Sequence, residues 1–331
     1  KLDVMSGPLL SYIIPVYNAE PYIERCVRSL MEQSYENIEY IFVDDCCKDN
    51  SMEVLRRTID DYSERKTSVR IISHSVGRGS ATSRNDGLDA AEGEYIMFAD
   101  SDDYVDSDYV ESMVRKAEDG KYDIVYSDFY ESYADGDRLI RQDYGTQPTG
   151  CICSMLSRAM HGSTWNKNFR RKFLLHAGQR FVDGADLFED VGWNVRLMAC
   201  NPRIGYISKA FYHYVKYNSS SIIASMTDNA YSRMRCRQRM RNVEVACHYL
   251  SDKGFMHGAL RRAAHIWMLM AKNDLITSDD YSLKRWMVAF PEADDAIWHC
   301  RQITLNFKLL LTWLHFRCIS LYHLQKRLTG R

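Results

Sequence analysis

Five short apolar runs, at residues 9–18, 38–43, 69–72, 95–99 and 122–126, alternate with segments whose apolar residues recur at helical spacing. The first such segment, 20–34, places Tyr22, Ile23, Cys26, Val27, Leu30 and Met31 along one helical face. The others are 51–59, which follows Asn50 as a candidate N-cap, then 80–91 and 107–118. A strand–helix–strand rhythm at this spacing requires crossover connections that cover a parallel sheet with helices. The expected class is α/β, with a mostly parallel sheet flanked by helices.

Open sheets of this kind bind ligands beyond the carboxyl ends of their strands. The run at 95–99 leads straight into Asp100, Ser101, Asp102 and Asp103. Carboxylates packed this closely repel one another unless a cation lies between them. Oxygen donors with no His or Cys alongside suit Mg²⁺ or Mn²⁺ holding a phosphate-bearing substrate. A polar loop that caps the next helix is the structural alternative, and an isolated Asp-x-Asp does not separate the two. The first and second runs end in Pro15-Val-Tyr-Asn18 and Asp44-Asp45, so their ends fall in the same crevice as Asp100 and Asp102. No Gly-x-Gly-x-x-Gly follows the first run, and no phosphate-loop pattern occurs. Phosphates must then be met by a metal and by side chains such as Arg84.

Past residue 126 the pattern loosens. Residues 130–150 read as a loop or hairpin, 188–199 as a helix with Glu189 and Asp190 at its start, and 204–215 as a strand followed by a flexible loop at 218–221. From 228 onward the chain reads as helices, including 249–274, 281–290 and 303–328. The last of these is apolar and basic, and no acid follows Asp295. Such a helix can lie on an anionic membrane surface or pack as core with its cations reaching out to water.

A net charge of −1 excludes a general nucleic-acid binder. Ten cysteines without a Cys-x₂-Cys pair argue against a zinc site and read as reduced thiols of a cytosolic protein. Residues 1–8 lack the pattern of a secretory leader, and no run is apolar enough to span a bilayer.

Several motifs, in order, resemble glycosyltransferase family 2. Ile13-Ile-Pro-Val-Tyr-Asn-Ala-Glu-Pro-Tyr-Ile23 resembles the family's opening strand and turn, and Val43-Asp-Asp-Cys-Cys-Lys-Asp-Asn-Ser51 its second motif. Residues 83–103 follow the family pattern throughout. Trp165-Asn-Lys167, Arg180-Phe181 and Glu189-Asp190 resemble its acceptor-side motifs. The resemblance spans about residues 9–222. It implies a GT-A fold at 9–225, split into a nucleotide-sugar half (9–130) and an acceptor half (131–225), with a helical region at 226–331.

The implied activity is metal-dependent, inverting transfer of a sugar from a nucleotide-diphosphate donor, a UDP-sugar above all, to a glycan or lipid-linked acceptor in surface polysaccharide synthesis. The protein would be cytoplasmic, and would touch the inner face of the membrane if 303–328 is its membrane contact. Carried over residue by residue, Pro15, Tyr17 and Asp44 would form the base and ribose pocket, and Arg84 would lie near the diphosphate. Asp100 would contact ribose or metal, and Asp102 would be the principal metal ligand, with His213 either a further one or a packed or loop histidine. Asp190 would be the general base, with Glu189 its understudy. Asp103 would cap the next helix. Trp165 would stack on an acceptor sugar or pack as core, and Lys167 would meet donor phosphate or face solvent. One departure is Cys46-Cys47, where the family has Gly-Ser, because Gly permits backbone conformations that Cys resists. A nucleotidyltransferase or phosphatase, and a non-catalytic nucleotide-sugar or glycan-binding module, are the rival readings.

Overall fold

The computed structural model describes residues 7–218, 229–276 and 279–329. The first half runs β1 (Leu10–Val16), α1 (Ile23–Met31), β2 (Ile38–Asp44), α2 (Ser51–Asp60), the one-turn α3 (Ser63–Lys66), β3 (Val69–Ser73), α4 (Ser80–Ala90), β4 (Tyr95–Phe98), the short β5 (Tyr104–Val105) and α5 (Tyr109–Gly120). There follow β6 (Ile124–Tyr133), β7 (Gly136–Ile140), α6 (Pro148–Leu156), β8 (Lys167–Arg170), α7 (Arg171–Ala177), α8 (Glu189–Met198) and β9 (Ile204–Val215). Helices α9 (Asn229–Asp252), α10 (Gly258–Asn273), α11 (Asp280–Val288), α12 (Leu305–His315) and α13 (Ile319–Thr329) come last, with a 3₁₀ turn at Pro291–Ala296.

The strands form one sheet in the order β3-β2-β1-β4-β8-β6-β9-β5, with β7 paired to β6. Strands β1 to β4 pair in parallel, as crossover helices require. The other half is mixed: β8 runs antiparallel to both β4 and β6, while β6 and β9 are parallel. Strand β8 carries no alternation that would reveal it, because Lys167 and Asn168 are buried there as polar residues. The 130–150 segment is indeed partly a hairpin, β6 turning into β7 with Tyr133 opposite Gly136.

Both faces of the sheet are covered. Tyr12, Ile14 and Val16 of β1 pack with Cys26, Val27 and Leu30 of α1 on one side. Ile13 points the other way, into a core shared with Trp193 of α8, Val243 of α9 and Trp267 of α10. Each such buried side chain contributes roughly 1.5–3 kcal/mol of transfer free energy. The C-terminal helices therefore share the sheet's core.

Two long helices expected from sequence are each broken in two. The 249–274 segment breaks after α9, where Gly254 adopts φ +75° and the Phe255 N–H reaches back to the Leu250 carbonyl. The 303–328 segment breaks the same way: Arg317 sits at φ +58° and the Cys318 N–H bonds the Trp313 carbonyl. Leu310, Leu311 and Leu314 of α12 turn inward, whereas Phe316, Leu321, Leu324 and Leu328 are exposed. Among the described residues no helix is long and apolar enough to cross a membrane. Residues 219–221 of the expected loop, and the expected boundary at 225/226, lie outside the described residues.

Candidate active site

Because β2, β1 and β4 are parallel neighbours, their carboxyl ends open on one edge of the sheet. Val16 is level with Asp44, and the Ala99 N–H bonds the Ile13 carbonyl, so the loop holding Asp100 follows directly. Tyr17 is exposed at this edge and Pro15 lies in β1 below it. Asp44 Oδ1 accepts the Cys47 N–H at 2.9 Å, and among the described residues its Oδ2 has no hydrogen-bond partner.

The Asp44–Cys47 turn holds Cys46 at φ +64°, the left-handed conformation that glycine adopts without strain. The chain keeps the glycine-type turn at an energetic cost. Cys46→Gly should accordingly stabilise the fold by about 0.5–1 kcal/mol, the balance of relieved strain against a more flexible unfolded chain. Chemical denaturation checks this.

The neighbouring Asp45 secures the next loop. Its carboxylate accepts the Arg78 and Gly79 N–H groups at 2.7 and 2.8 Å and meets His74 Nδ1 at 2.8 Å. Gly79 has φ +89°, and a Cβ there would lie 2.1 Å from a carboxylate oxygen of Asp186. Asp186 in turn accepts the Ala81 N–H at the start of α4. This anchors the helix that delivers Arg84.

Arg84 joins the two acidic motifs. One guanidinium nitrogen lies 2.8 Å from Asp100 Oδ1; the other lies 2.9 Å from Glu189 Oε1 and 3.3 Å from Asp190 Oδ1. Burial alone would weaken its hold on the proton, but the charges of Asp190, Asp100 and Glu189 outweigh that and raise its pKa. Arg84 is therefore a charged bridge inside the crevice, with three carboxylates as partners.

Glu189 and Asp190 form the first turn of α8, where the helix dipole favours anions. The residue before them, Phe188, is held at φ +60°. The Arg239 guanidinium of α9 lies over its ring at 4.5 Å, and Asn242 of α9 donates to the Ala185 and Leu187 carbonyls. Thus the C-terminal helices fix the loop that aims the acidic pair.

Burial, then repulsion from Asp190, pushes the Glu189 carboxyl up to about 8, and burial raises Asp190 as well. Glu189 Oε1 accepts from Ser80 and Arg84. Asp190 Oδ2 accepts the Thr164 N–H at 3.2 Å, while its buried Oδ1 faces Arg84 without a hydrogen bond.

The raised Glu189 value fixes a pH slope. The folded state keeps a proton that the unfolded state releases from about pH 4.5, so that contribution is full below pH 4.5 and fades as pH rises toward about 8. Thermal melts of Glu189→Gln and the unsubstituted protein should differ least near the acid end of this window. The variant should be increasingly the more stable toward its alkaline end.

Asp102 is half-buried; its Oδ2 accepts from Asn218 at 2.7 Å. Burial and the Asp100 charge raise its pKa, so its negative charge is poorly compensated by protein groups. Among the described residues no cluster of three His, Cys, Asp or Glu could hold a metal. One or two carboxylates with the remaining positions left to water and substrate phosphate is the arrangement Mg²⁺ and Mn²⁺ accept. Asp102 and Asp100 fit that donor set.

Three residues differ from expectation. His213 is not free for a metal: its ring is stacked between Tyr104 and Tyr130, with Nε2 3.2 Å from Asp106 and Nδ1 3.1 Å from Asp137. It pairs β9 to β5 instead. Asp103 caps no helix; it is buried and accepts the Val215 N–H and the Tyr212 hydroxyl, both at 2.8 Å, tying β9 to the acidic loop. Lys167 faces neither phosphate nor solvent. It is buried, its ammonium donating to the Ser163 carbonyl and Asn166 Oδ1, and burial lowers its pKa to about 7. Trp165, for which both roles stood open, is core, stacked on Tyr212 at 4.3 Å.

Thr164, Ser80, Asp183 and Asp186 hold the site together and had no sequence signal beyond an acid-rich stretch before Glu189.

The glycosyl transferase family 2 model matches residues 11–177. EpsH of Bacillus subtilis strain 168 is 32% identical over 226 residues, covering 66% of this chain and 64% of EpsH. EpsJ of the same organism is 31% identical over 214 residues, 62% of this chain and 61% of that protein. The matches thus span a little under two thirds of these curated relatives. Among solved structures, residues 1–349 of Staphylococcus aureus TarS in complex with UDP-GlcNAc align with a TM-score of 0.60 at 17% identity, over 98% of this chain and 92% of that one. A Pyrobaculum calidifontis mannosyltransferase with GDP-Man and Mn²⁺ aligns with a TM-score of 0.50 at 18% identity, over 98% and 83%. The sheet order, the flanking helices and the matched family model lead to one assignment: the chain belongs to glycosyltransferase family 2.

Proposed function

We propose that this protein transfers a sugar, with inversion, from a nucleotide-diphosphate donor to a hydroxyl of a glycan or lipid-linked acceptor. The observation that carries the proposal is the Arg84 bridge, which sets the acidic end of β4 and the acidic start of α8 against one another in one crevice. Residues 9–130 supply the donor side, with Pro15, Tyr17 and Asp44 toward base and ribose and Asp100 toward ribose or metal. Residues 131–225 supply the acceptor side. A UDP-sugar is the favoured donor, in keeping with UDP-GlcNAc in the TarS structure.

Asp190 acts as the base. Its Oδ1 lacks a hydrogen-bond donor and can take the acceptor's hydroxyl proton, whereas Glu189 is engaged by Ser80 and Arg84. The freed oxygen then forms its bond to the anomeric carbon as the bond to the nucleoside diphosphate breaks on the opposite face. A divalent cation held by Asp102 and Asp100 would supply charge neutralisation at the departing diphosphate. Arg84 pairs with Asp100 and Asp190 at once and so holds them in register.

A role in surface polysaccharide synthesis is supported by a 40% identity over 102 residues, 30% of this chain and 16% of that one, to a Bacillus spizizenii poly(ribitol-phosphate) β-glucosyltransferase. The exposed apolar and basic residues of the α12–α13 region, among them Phe316, Leu324, Arg317 and Arg327, suit peripheral contact with the inner face of a membrane. Nucleotide release from a panel of UDP- and GDP-sugars, with and without Mn²⁺, tests the reading. Metal-dependent release from at least one donor is the expected result. No release from any donor, with the donor nevertheless bound, would favour a binding module.

A further inference from the structure

The helices after β9 enclose a cavity of their own, about 580 Å³, between the first turns of α10 and the 3₁₀ turn before α12. Gly258, Arg261, Arg262, His265, Asp295 and His299 line it. Its single carboxylate is already engaged: Asp295 holds His265 Nδ1 at 2.7 Å and lies 3.4 Å from Arg261. That arrangement pins one imidazole and one guanidinium in place. Arg262 is exposed and has no carboxylate partner among the described residues. The chain that leads away from the cavity is basic. Trp298, next to His299, is exposed, Lys308 donates to its carbonyl at 3.1 Å, and every charged residue after Asp295 is basic.

Two guanidinium forks and two imidazoles converging on one concavity match a group with several acceptor oxygens and more than one negative charge. A nearly neutral chain has no general reason to gather cations there, and the single acid present leaves an excess of positive charge. We propose that this cavity binds a phosphoryl group, presented either by an anionic lipid headgroup or by a free phosphate ester. Arg261, Arg262 and His299 contact its oxygens. The site is separate from the Asp100–Asp190 crevice and does not depend on the sugar-transfer reading.

The test uses inorganic phosphate first. Melting temperatures of the full chain are followed against phosphate at constant ionic strength set with chloride, for the unsubstituted protein and for Arg261→Ala/Arg262→Ala. A ligand that binds only the folded state raises the melting temperature. The expected result is a saturable rise that is lost in the double variant, with binding weakened by about tenfold or more. Nucleotide release by the variant should be unchanged. If the double variant does not fold, Arg262→Glu takes its place, since Arg262 is exposed and pairs with no acid among the described residues.

Sedimentation with phosphatidylglycerol and phosphatidylcholine vesicles separates the sources. Binding to the anionic vesicles that the substitution abolishes identifies a lipid headgroup. A phosphate response without vesicle binding identifies a free phosphate ester. An equal phosphate response in both proteins, or none beyond chloride, overturns the proposal.

Discussion

Asp190→Asn should lower sugar transfer and donor hydrolysis by about 10²–10⁴-fold, the usual weight of a positioned general base, while donor affinity stays unchanged. Asparagine keeps the shape and can still accept the Thr164 N–H, so the α8 turn should survive. What it cannot do is take a proton at the atom corresponding to Oδ1, the buried oxygen that lacks a hydrogen bond. The neighbour supplies the control. Glu189→Gln retains most of the rate if Asp190 is the base, because Glu189 only receives bonds from Ser80 and Arg84. Steady-state nucleotide release by the two variants decides the assignment: a dead Glu189→Gln beside an active Asp190→Asn would reverse it.

Arg84→Met should destabilise the fold by about 3–5 kcal/mol near neutral pH, the cost of removing one partner from a buried ionic cluster. Three carboxylates, on Asp100, Glu189 and Asp190, would then face one another with no cation between them. Glu189 and Asp190, whose pKa values burial already raises, would lose the lowering influence of Arg84 and rise further, so the folded variant would bind more protons. The deficit should therefore be largest at high pH and shrink as pH falls and the acids protonate. Urea denaturation across pH measures this. A loss below about 1 kcal/mol, as for exposed ion pairs, would mean that the acids are well hydrated and that Arg84 is not a buried bridge. Arg84→Lys should fold better than the Met variant yet remain impaired, because one ammonium cannot span three carboxylates as a planar fork does.

The parts of this fold that were legible in the sequence are those built on periodicity. Strands β1, β2 and β4 carry continuous apolar runs because both their faces are covered, and α1 shows its buried face as a stripe from Ile23 to Met31. Strand β8 was not legible, since it buries the polar residues Lys167 and Asn168 and shows no alternation. The helix breaks at Gly254 and Arg317 depend on a single backbone conformation each, which composition does not announce when the residue is an arginine.

The site divides in the same way. The acids at the ends of β2 and β4 and at the start of α8 stand out because carboxylates follow apolar runs or begin a helix. That Arg84 meets both sets could not be read from spacing, because the contact spans 105 residues to Glu189. For His213 the family resemblance offers a metal ligand beside a packed histidine, and for Asp103 the sequence offers a cap; the β5–β9 pairing draws both into structural bonds.

The central claim is that Asp102 holds the donor through a metal while Asp190 acts across the same crevice on the acceptor. Calorimetric titration of the preferred nucleotide sugar into the unsubstituted protein, Asp102→Ala and Asp190→Asn, each with and without Mn²⁺, tests it most directly. The account predicts that Mn²⁺ strengthens donor binding equally in the unsubstituted protein and Asp190→Asn, and has no effect in Asp102→Ala. Metal-strengthened binding that survives in Asp102→Ala, or is lost in Asp190→Asn, would contradict it.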